Sequence, residues 1–262
     1  MTKSMLIDIS KCMGCRGCQV ACTQWNQLPA ENTRNTGTYE NPPRFSAHTW
    51  TKIGFQEYTT EEGMDTWIFT KLGCMHCSDA ACIKACPAGA ISHTEFGTVR
   101  IDEKRCIGCN YCIANCTFNV VGFDQAANLA KKCTFCYDRI SAGEIPACAK
   151  TCPTGAIMYG DRSDMISLAQ ERLAELKRGA FPRAEIYGLK ELDGLGMMYI
   201  LPEGKSSAMA KYALPENPRV PLSTEVWNYI FKPVRIILVA ALGFALWINR
   251  SESKKEQTEK SA

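Results

Sequence analysis

Cys12-Met13-Gly14-Cys15-Arg16-Gly17-Cys18-Gln19-Val20-Ala21-Cys22 sets four cysteines at the spacing C-x2-C-x2-C-x3-C. The same spacing returns at Cys106-Ile107-Gly108-Cys109-Asn110-Tyr111-Cys112-Ile113-Ala114-Asn115-Cys116. Two looser quartets complete the set: Cys74, Cys77, Cys82, Cys86 and Cys133, Cys136, Cys148, Cys152. The 262-residue chain has sixteen cysteines, and none is left over. Three thiols within seven residues must converge on one small object.

A cubane [4Fe–4S] cluster is such an object. It offers three irons on one face to a tight loop, and its fourth iron takes a cysteine from elsewhere. The complete runs match the ligand run of bacterial ferredoxins, in which the fourth cysteine ligates the other cluster of a pair. Sixteen thiolates at four per cluster make four [4Fe–4S] clusters. A disulfide framework is a poor rival, because bridges need particular Cα separations and residues 1–6 carry no signal peptide to an oxidising compartment. Zinc is the more serious alternative, since C-x2-C pairs build four-thiolate zinc sites. Zinc knuckles use two cysteines each, however, whereas both complete runs add a third after a further two-residue gap.

The chain repeats internally. Ile7-Asp8 precedes the first run and Ile101-Asp102 the second. Cys86-Pro87-Ala88-Gly89-Ala90-Ile91 is echoed by Cys152-Pro153-Thr154-Gly155-Ala156-Ile157, each reading as cysteine, turn, strand. The groups at 74–86 and 106–116 are close in sequence and pair as one module. The outer two groups pair as the other, with the first module inserted between them. Under the exchange rule the expected ligand sets are Cys12, Cys15, Cys18 with Cys152; Cys133, Cys136, Cys148 with Cys22; Cys74, Cys77, Cys82 with Cys116; and Cys106, Cys109, Cys112 with Cys86. The expected fold class is α+β, with two interleaved bacterial-ferredoxin-like modules and a C-terminal single transmembrane helix. Residues 1–73 and 117–160 form one module, and 74–116 the other.

Residues 33–43 are polar with Gly37, Pro42 and Pro43 and read as a surface loop. Residues 66–72 (TWIFTKL) and 197–201 (MMYIL) read as strands. A helix opens at Ser163 and ends at Gly179, with Ile166, Ala169, Leu173 and Leu176 on one face. It covers the cluster domain, and residues up to 225, with four prolines between 202 and 221, follow as an extended linker. Residues 236–248 hold no charge, a length that alone favours a buried or interfacial helix. Adding residues 226–231 gives a bilayer-length anchor over 226–249, with Lys232 and Arg235 snorkelling and Trp227, Tyr229 and Trp247 near its ends. Its position beyond the linker favours the anchor. Arg250, Lys254, Lys255 and Lys260 follow it and Arg219, Lys232 and Arg235 precede or enter it, a slight excess that places the C-terminus in the cytoplasm. The polar tail, 250–262, is expected to be unstructured.

The net charge of +3 and the lack of a basic stripe exclude a nucleic-acid reading. Gly194 and Gly196 do not make a dinucleotide fingerprint, so no nucleotide cofactor is expected. No catalytic constellation stands out, which puts substrate chemistry on another subunit. His76, between two cysteines, reads equally as a donor to a cluster sulfur and as an ordinary loop histidine. Lys131 and Lys132 adjoin Cys133, where positive charge would favour a reduced cluster electrostatically, but they read first as a solvated pair.

Over residues 5 to about 160 the order and spacing resemble the four-cluster iron–sulfur subunits of molybdopterin oxidoreductases. Within them the chain looks most like the β subunits of membrane-bound respiratory formate dehydrogenases. Trp25-Asn26, Gly37, Tyr39, Asn41-Pro42, Trp50, Cys74-Met75-His76-Cys77, Cys133-Thr134-Phe135-Cys136 and an anchor beginning near Lys232-Pro233 carry that likeness. Sister subunits for thiosulfate, polysulfide, sulfoxide or nitrite chemistry usually lack the anchor. The resemblance implies a molybdopterin catalytic (α) subunit that oxidises formate at molybdenum or tungsten. It implies electron passage to a membrane cytochrome b (γ) subunit and quinone. It also implies a place at the bacterial inner membrane, single-pass in the lipid bilayer, with the cluster domain in the periplasm. Thr117 stands where the family has proline after the cysteine. That changes a turn and not a ligand, so Cys116 is retained. Three alternatives stand beside this reading: the same wire for another molybdopterin enzyme or a hydrogenase, a zinc-stapled interaction module, and a free polyferredoxin.

Overall fold

Strand β1 (Lys3–Asp8) sits inside a four-stranded sheet of order β8–β1–β10–β9. Its neighbours are β8 (Ile157–Asp161), antiparallel, and β10 (Met197–Leu201), parallel. Strand β9 (Glu185–Tyr187) closes the other edge. Every residue of β10 is buried. A strand covered on both faces reads as an unbroken apolar run, as Met-Met-Tyr-Ile-Leu does. Alternation then divides the layers. Met5, Ile7, Met197, Tyr199 and Leu201 face the cysteine-rich core, while Leu6, Met198 and Ile200 face the other way.

That second face is covered by helix α6 (Arg162–Arg178), which buries Met165, Ala169 and Leu176 and packs Ile166 and Leu173 against them. Each fully buried large apolar side chain contributes about 1.5–3 kcal/mol. The helix begins one residue before Ser163, whose hydroxyl turns to Asp164 and makes no cap. Gly179 ends it, its N–H donating to the carbonyls of Glu175 and Leu176.

In this computed structural model residues 2–59, 63, 65–207 and 211–259 are described. They form two units, Met1–Val220 and Pro221–Ala262. In the first unit β3 (Asp65–Gly73) carries the strand expected at 66–72 and pairs along its length with β2 (Thr51–Thr59). Two small hairpins, β4 (Ile91–His93) with β5 (Val99–Ile101) and β6 (Gly122–Asp124) with β7 (Leu129–Lys131), frame the middle of the chain. The stretch expected as a linker is tied down: Tyr212 and Leu214 are buried in the main core, the Tyr187 hydroxyl donates to Pro215 O at 2.8 Å, and Thr117 donates to Arg219 O at 2.9 Å. Prolines remove backbone donors but leave side chains free to pack, which composition alone misses.

The described part of the second unit is helical from Leu222 onward. Helix α7 (Leu222–Val226) passes through a π turn (Trp227–Phe231) into α8 (Lys232–Glu259). Pro233 would collide with the carbonyl four residues back, and a π turn is a common way to absorb such a conflict. Leu222–Ile248 is long and apolar enough to cross a membrane: its 27 residues contain an 18-residue window of mean hydropathy 1.8, none of which is buried. At 1.5 Å per residue it spans about 40 Å, against about 30 Å of bilayer hydrocarbon. The backbone stays helical to Glu259, so most of the expected unstructured tail extends the helix. The side chains of Lys232 and Arg235, expected to snorkel, lie outside the described residues, as do residues 260–262.

Candidate metal centres

All sixteen cysteines are free thiols in the first unit, and they stand four by four around separate cavities. Cys12, Cys15, Cys18 and Cys152 line the first. Cys22, Cys133, Cys136 and Cys148 line the second. Cys74, Cys77, Cys82 and Cys116 line the third, and Cys86, Cys106, Cys109 and Cys112 the fourth.

Four short helices do the sorting. Helix α1 (Gly17–Trp25) presents Cys18 to the first cavity and Cys22 to the second. Helix α5 (Ala147–Lys150) runs the opposite exchange, with Cys148 to the second and Cys152, just beyond its end, to the first. Helices α2 (Ala81–Ala85) and α3 (Tyr111–Ala114) repeat the device between the third and fourth, through Cys82 with Cys86 and Cys112 with Cys116. Helix α1 packs on α5, and α2 on α3. Four residues of helix advance about 6 Å, enough to hand the second thiol to a neighbouring site. Ahead of α1 and α3 the loops turn back through Gly14 and Gly108, both at φ +68°, a conformation that glycine adopts freely.

Neighbour relations fix an order. Helices α1 and α5 each join the first cavity to the second, Lys132 in the wall of the third bonds the carbonyl of Cys133 in the second, and α2 and α3 join the third to the fourth. The four sites therefore follow one another in a row.

The donor set fits iron–sulfur clusters. Among the described residues no three His, Cys, Asp or Glu side chains close on a point that could hold one metal ion. Zinc would draw its four sulfurs to about 3.8 Å from one another, given Zn–S bonds of about 2.3 Å in a tetrahedron. Quartets that ring a space without closing on a point suit a polynuclear group. Burial pushes the Cys18, Cys22 and Cys82 thiols up to about 12 and those of Cys112 and Cys133 to about 11. Thiolates in such pockets need the charge of bound metal beside them. Backbone N–H groups already point at sulfur, Ala90 to Cys86 Sγ at 3.2 Å and Phe135 to Cys133 Sγ at 3.4 Å.

Three further side chains belong to the site. His76, buried in the wall of the third cavity, accepts the Val99 N–H at Nδ1, 3.0 Å away. The proton of the neutral ring then sits on Nε2, which is buried without a partner. A cluster sulfur in that cavity would supply the acceptor it lacks. Lys131 and Lys132 are not the solvated pair expected: Lys131 reaches Asp124 at 3.2 Å, while Lys132 is 3 % exposed and donates to the carbonyls of Val99 and Cys133. Lys71 escaped the sequence reading altogether. It is 1 % exposed on β3, in the wall of the first cavity, its ammonium 3.3 Å from Met197 Sδ. Its only sequence signal is a lysine inside an apolar strand. Burial works against that charge, but negative charge on the sulfurs of Cys148, Cys133 and Cys18 acts the other way and holds it above the ordinary lysine range. Neutral thiols could not do so; metal-bound, charged sulfurs could.

Family models described as 4Fe-4S dicluster domains match residues 11–90 and 65–162. The chain is 42 % identical over 240 residues to the nitrate-inducible formate dehydrogenase iron–sulfur subunit of Escherichia coli K12, covering 91 % of this chain and 79 % of that protein. It is 43 % identical over 241 residues to the formate dehydrogenase-O iron–sulfur subunit of the same organism, covering 92 % and 78 %. It is 40 % identical over 242 residues to the formate dehydrogenase iron–sulfur subunit of Haemophilus influenzae, covering 92 % and 77 %.

Proposed function

The chain belongs to the formate dehydrogenase iron–sulfur subunits, and on that premise we propose that it is the wire between a molybdopterin catalytic subunit and a membrane cytochrome b subunit that delivers to quinone. The observation that carries this is the row of four cysteine quartets, joined in pairs by α1 with α5 and α2 with α3. Each quartet holds one [4Fe–4S] cluster, so the sixteen ligands serve four. When bound, the clusters supply one-electron transfer at potentials set by burial, hydrogen bonds and local charge. The two helix pairs are the two ferredoxin-like modules, and the module of residues 74–116 is inserted within the other.

The ends of the row are the open ones. Cys15 and its neighbour Met13 are exposed at the first cavity, and Ile107 and Tyr111 at the fourth. Electrons enter at one of these faces and leave at the other, while the inner sites are shielded by Phe135, Val120 and the sheet. The apolar helix of the second unit anchors the subunit in the inner membrane, with the cluster unit periplasmic and the C-terminus cytoplasmic. Tungsten or molybdenum, and formate itself, belong to the catalytic subunit.

The test is anaerobic purification from native membranes in mild detergent, with metal analysis and formate-dependent dye reduction. About sixteen irons per copy, after the partners' share, together with formate activity, is the expected result. Iron without formate activity keeps the wire and moves it to a sister molybdopterin enzyme or a hydrogenase. Zinc in place of iron ends the proposal.

A further inference from the structure

Two ammonium groups lie buried in the cluster unit with no carboxylate against them. Lys71 is 1 % and Lys132 3 % exposed. Neither makes an ion pair with Asp or Glu among the described residues; the nearest groups are a methionine sulfur, two carbonyls and cysteines. A buried charge without a counter-charge is strongly unfavourable, and folded chains do not keep one by accident. The placement of the two is as telling as their burial. Lys71 forms part of the first cavity with Cys18 and lies within electrostatic reach of Cys133 and Cys148 of the second. Lys132 forms part of the third cavity and bonds the Cys133 carbonyl of the second at 3.0 Å. Each lysine therefore stands at a junction between consecutive sites. No buried lysine stands at the junction of the third and fourth among the described residues.

We propose that Lys71 and Lys132 are fixed counter-charges of the clusters, each shared by two consecutive sites, and that they raise the reduction potentials of those sites. This rests on the assignment of [4Fe–4S] clusters to the quartets. Reduction adds one electron and one negative charge to a site and takes up no proton, because the ammonium is charged before and after. A fixed cation stabilises the reduced state more than the oxidised one, so the potential rises. The second site, between both lysines, gains most; the fourth gains nothing. The lysines thereby hold the inner sites electron-accepting although they are the driest, and burial alone would make them the hardest to reduce.

The experiment is an EPR-monitored redox titration of the intact membrane complex carrying Lys71→Met or Lys132→Met. Signals are assigned to sites by one Cys→Ser variant in each quartet. Lys71→Met is expected to disfavour reduction at least tenfold at the first and second sites, which is 59 mV for one electron. Lys132→Met does so at the second and third. The fourth site moves in neither variant and is the internal control. Full iron content with no site-specific shift, or an equal shift at all four, overturns the proposal. Should a methionine variant lose iron, the charge-retaining Lys71→Arg and Lys132→Arg must recover both iron and potential; arginine variants as impaired as methionine overturn it too. Zinc, or absence of iron, in the unaltered protein refutes the cluster assignment instead, and is read separately.

Discussion

Gly14 and Gly108 occupy the same place in the two complete cysteine runs, and alanine at each should cost different amounts for a reason visible in the structure. Both have φ +68°, so the backbone strain of an L side chain, about 1 kcal/mol, is common to the pair. The surroundings differ. A Cβ at Gly14 would meet the Phe69 ring at 3.0 Å. That ring is the end of an aromatic group, with Phe55 5.3 Å and Trp67 6.0 Å away, and it can tilt. A Cβ at Gly108 would fall 2.7 Å from the Asn128 carbonyl oxygen and 2.8 Å from its Oδ1. Ordinary contact begins at 3.4 Å, so backbone in the turn between β6 and β7 would have to move 3.4 − 2.7 = 0.7 Å. Overpacking against a part that cannot rotate away adds about 1–3 kcal/mol. Gly14→Ala should therefore cost about 1–2 kcal/mol and Gly108→Ala about 2–4 kcal/mol. The assay is chelator-driven iron release under anaerobic conditions, which follows the local opening of each loop. A gap of about 1.4 kcal/mol is a tenfold difference, so Gly108→Ala should release its share of iron about tenfold faster than Gly14→Ala. Equal rates, or a faster Gly14→Ala, would refute the steric reasoning.

Three further outcomes can be checked. His76→Asn keeps an acceptor for the Val99 N–H but removes the Nε2 donor; the potential of the third site should fall by about 40 mV, the equivalent of about 1 kcal/mol of hydrogen bonding, and an unchanged potential would put the donor elsewhere. Arg172→Met strips the Nε donor, 2.9 Å away, from the fully buried Asp8 side chain just ahead of the first run, leaving it Ser10 and a distant Lys11. The loss should be about 1.5–3 kcal/mol, less than for an enclosed pair because Arg172 is part-exposed, and it should show as a lower denaturant midpoint; no shift would mean Ser10 suffices. Ending the chain before Pro221 removes the whole apolar span and should leave a brown protein in the supernatant without detergent; sedimentation with membranes after that truncation would require another anchor.

Much of this was legible beforehand because cluster chemistry writes itself into spacing. Cys12 to Cys22 and Cys106 to Cys116 need no tertiary context to be read as ligand runs. Residues 197–201 and the face of Ile166, Ala169, Leu173 and Leu176 were equally plain, since burial on one or two sides imposes a period. What escaped depends on distant partners. The sequence of β2, Thr-Lys-Ile-Gly-Phe-Gln-Glu-Tyr-Thr, alternates poorly and becomes a strand by pairing with β3. Tyr212 and Leu214 sit among prolines, yet fill the core. Lys71 and Lys132 look like any lysines until the sulfurs around them are known. Residues 251–259 are polar and read as tail, but no proline or glycine interrupts them, and the helix runs on.

The exchange of cysteines across paired helices also sets a timetable for making the protein. The third site joins Cys82 to Cys116, a separation of 34 residues, whereas the first joins Cys18 to Cys152, a separation of 134. Fourfold in length is two doublings, about 1.2 kcal/mol of loop closure, so the penalty at equilibrium is slight. During synthesis it is decisive. The third and fourth sites have all their cysteines once residue 116 has emerged. The first waits for residue 152 and the second for residue 148, and the sheet beside them waits for β10, whose parallel pairing with β1 joins Leu6 to Met198. A nascent chain would thus acquire its metal first from the middle of its sequence, with its first ligand run held open until the last quartet arrives.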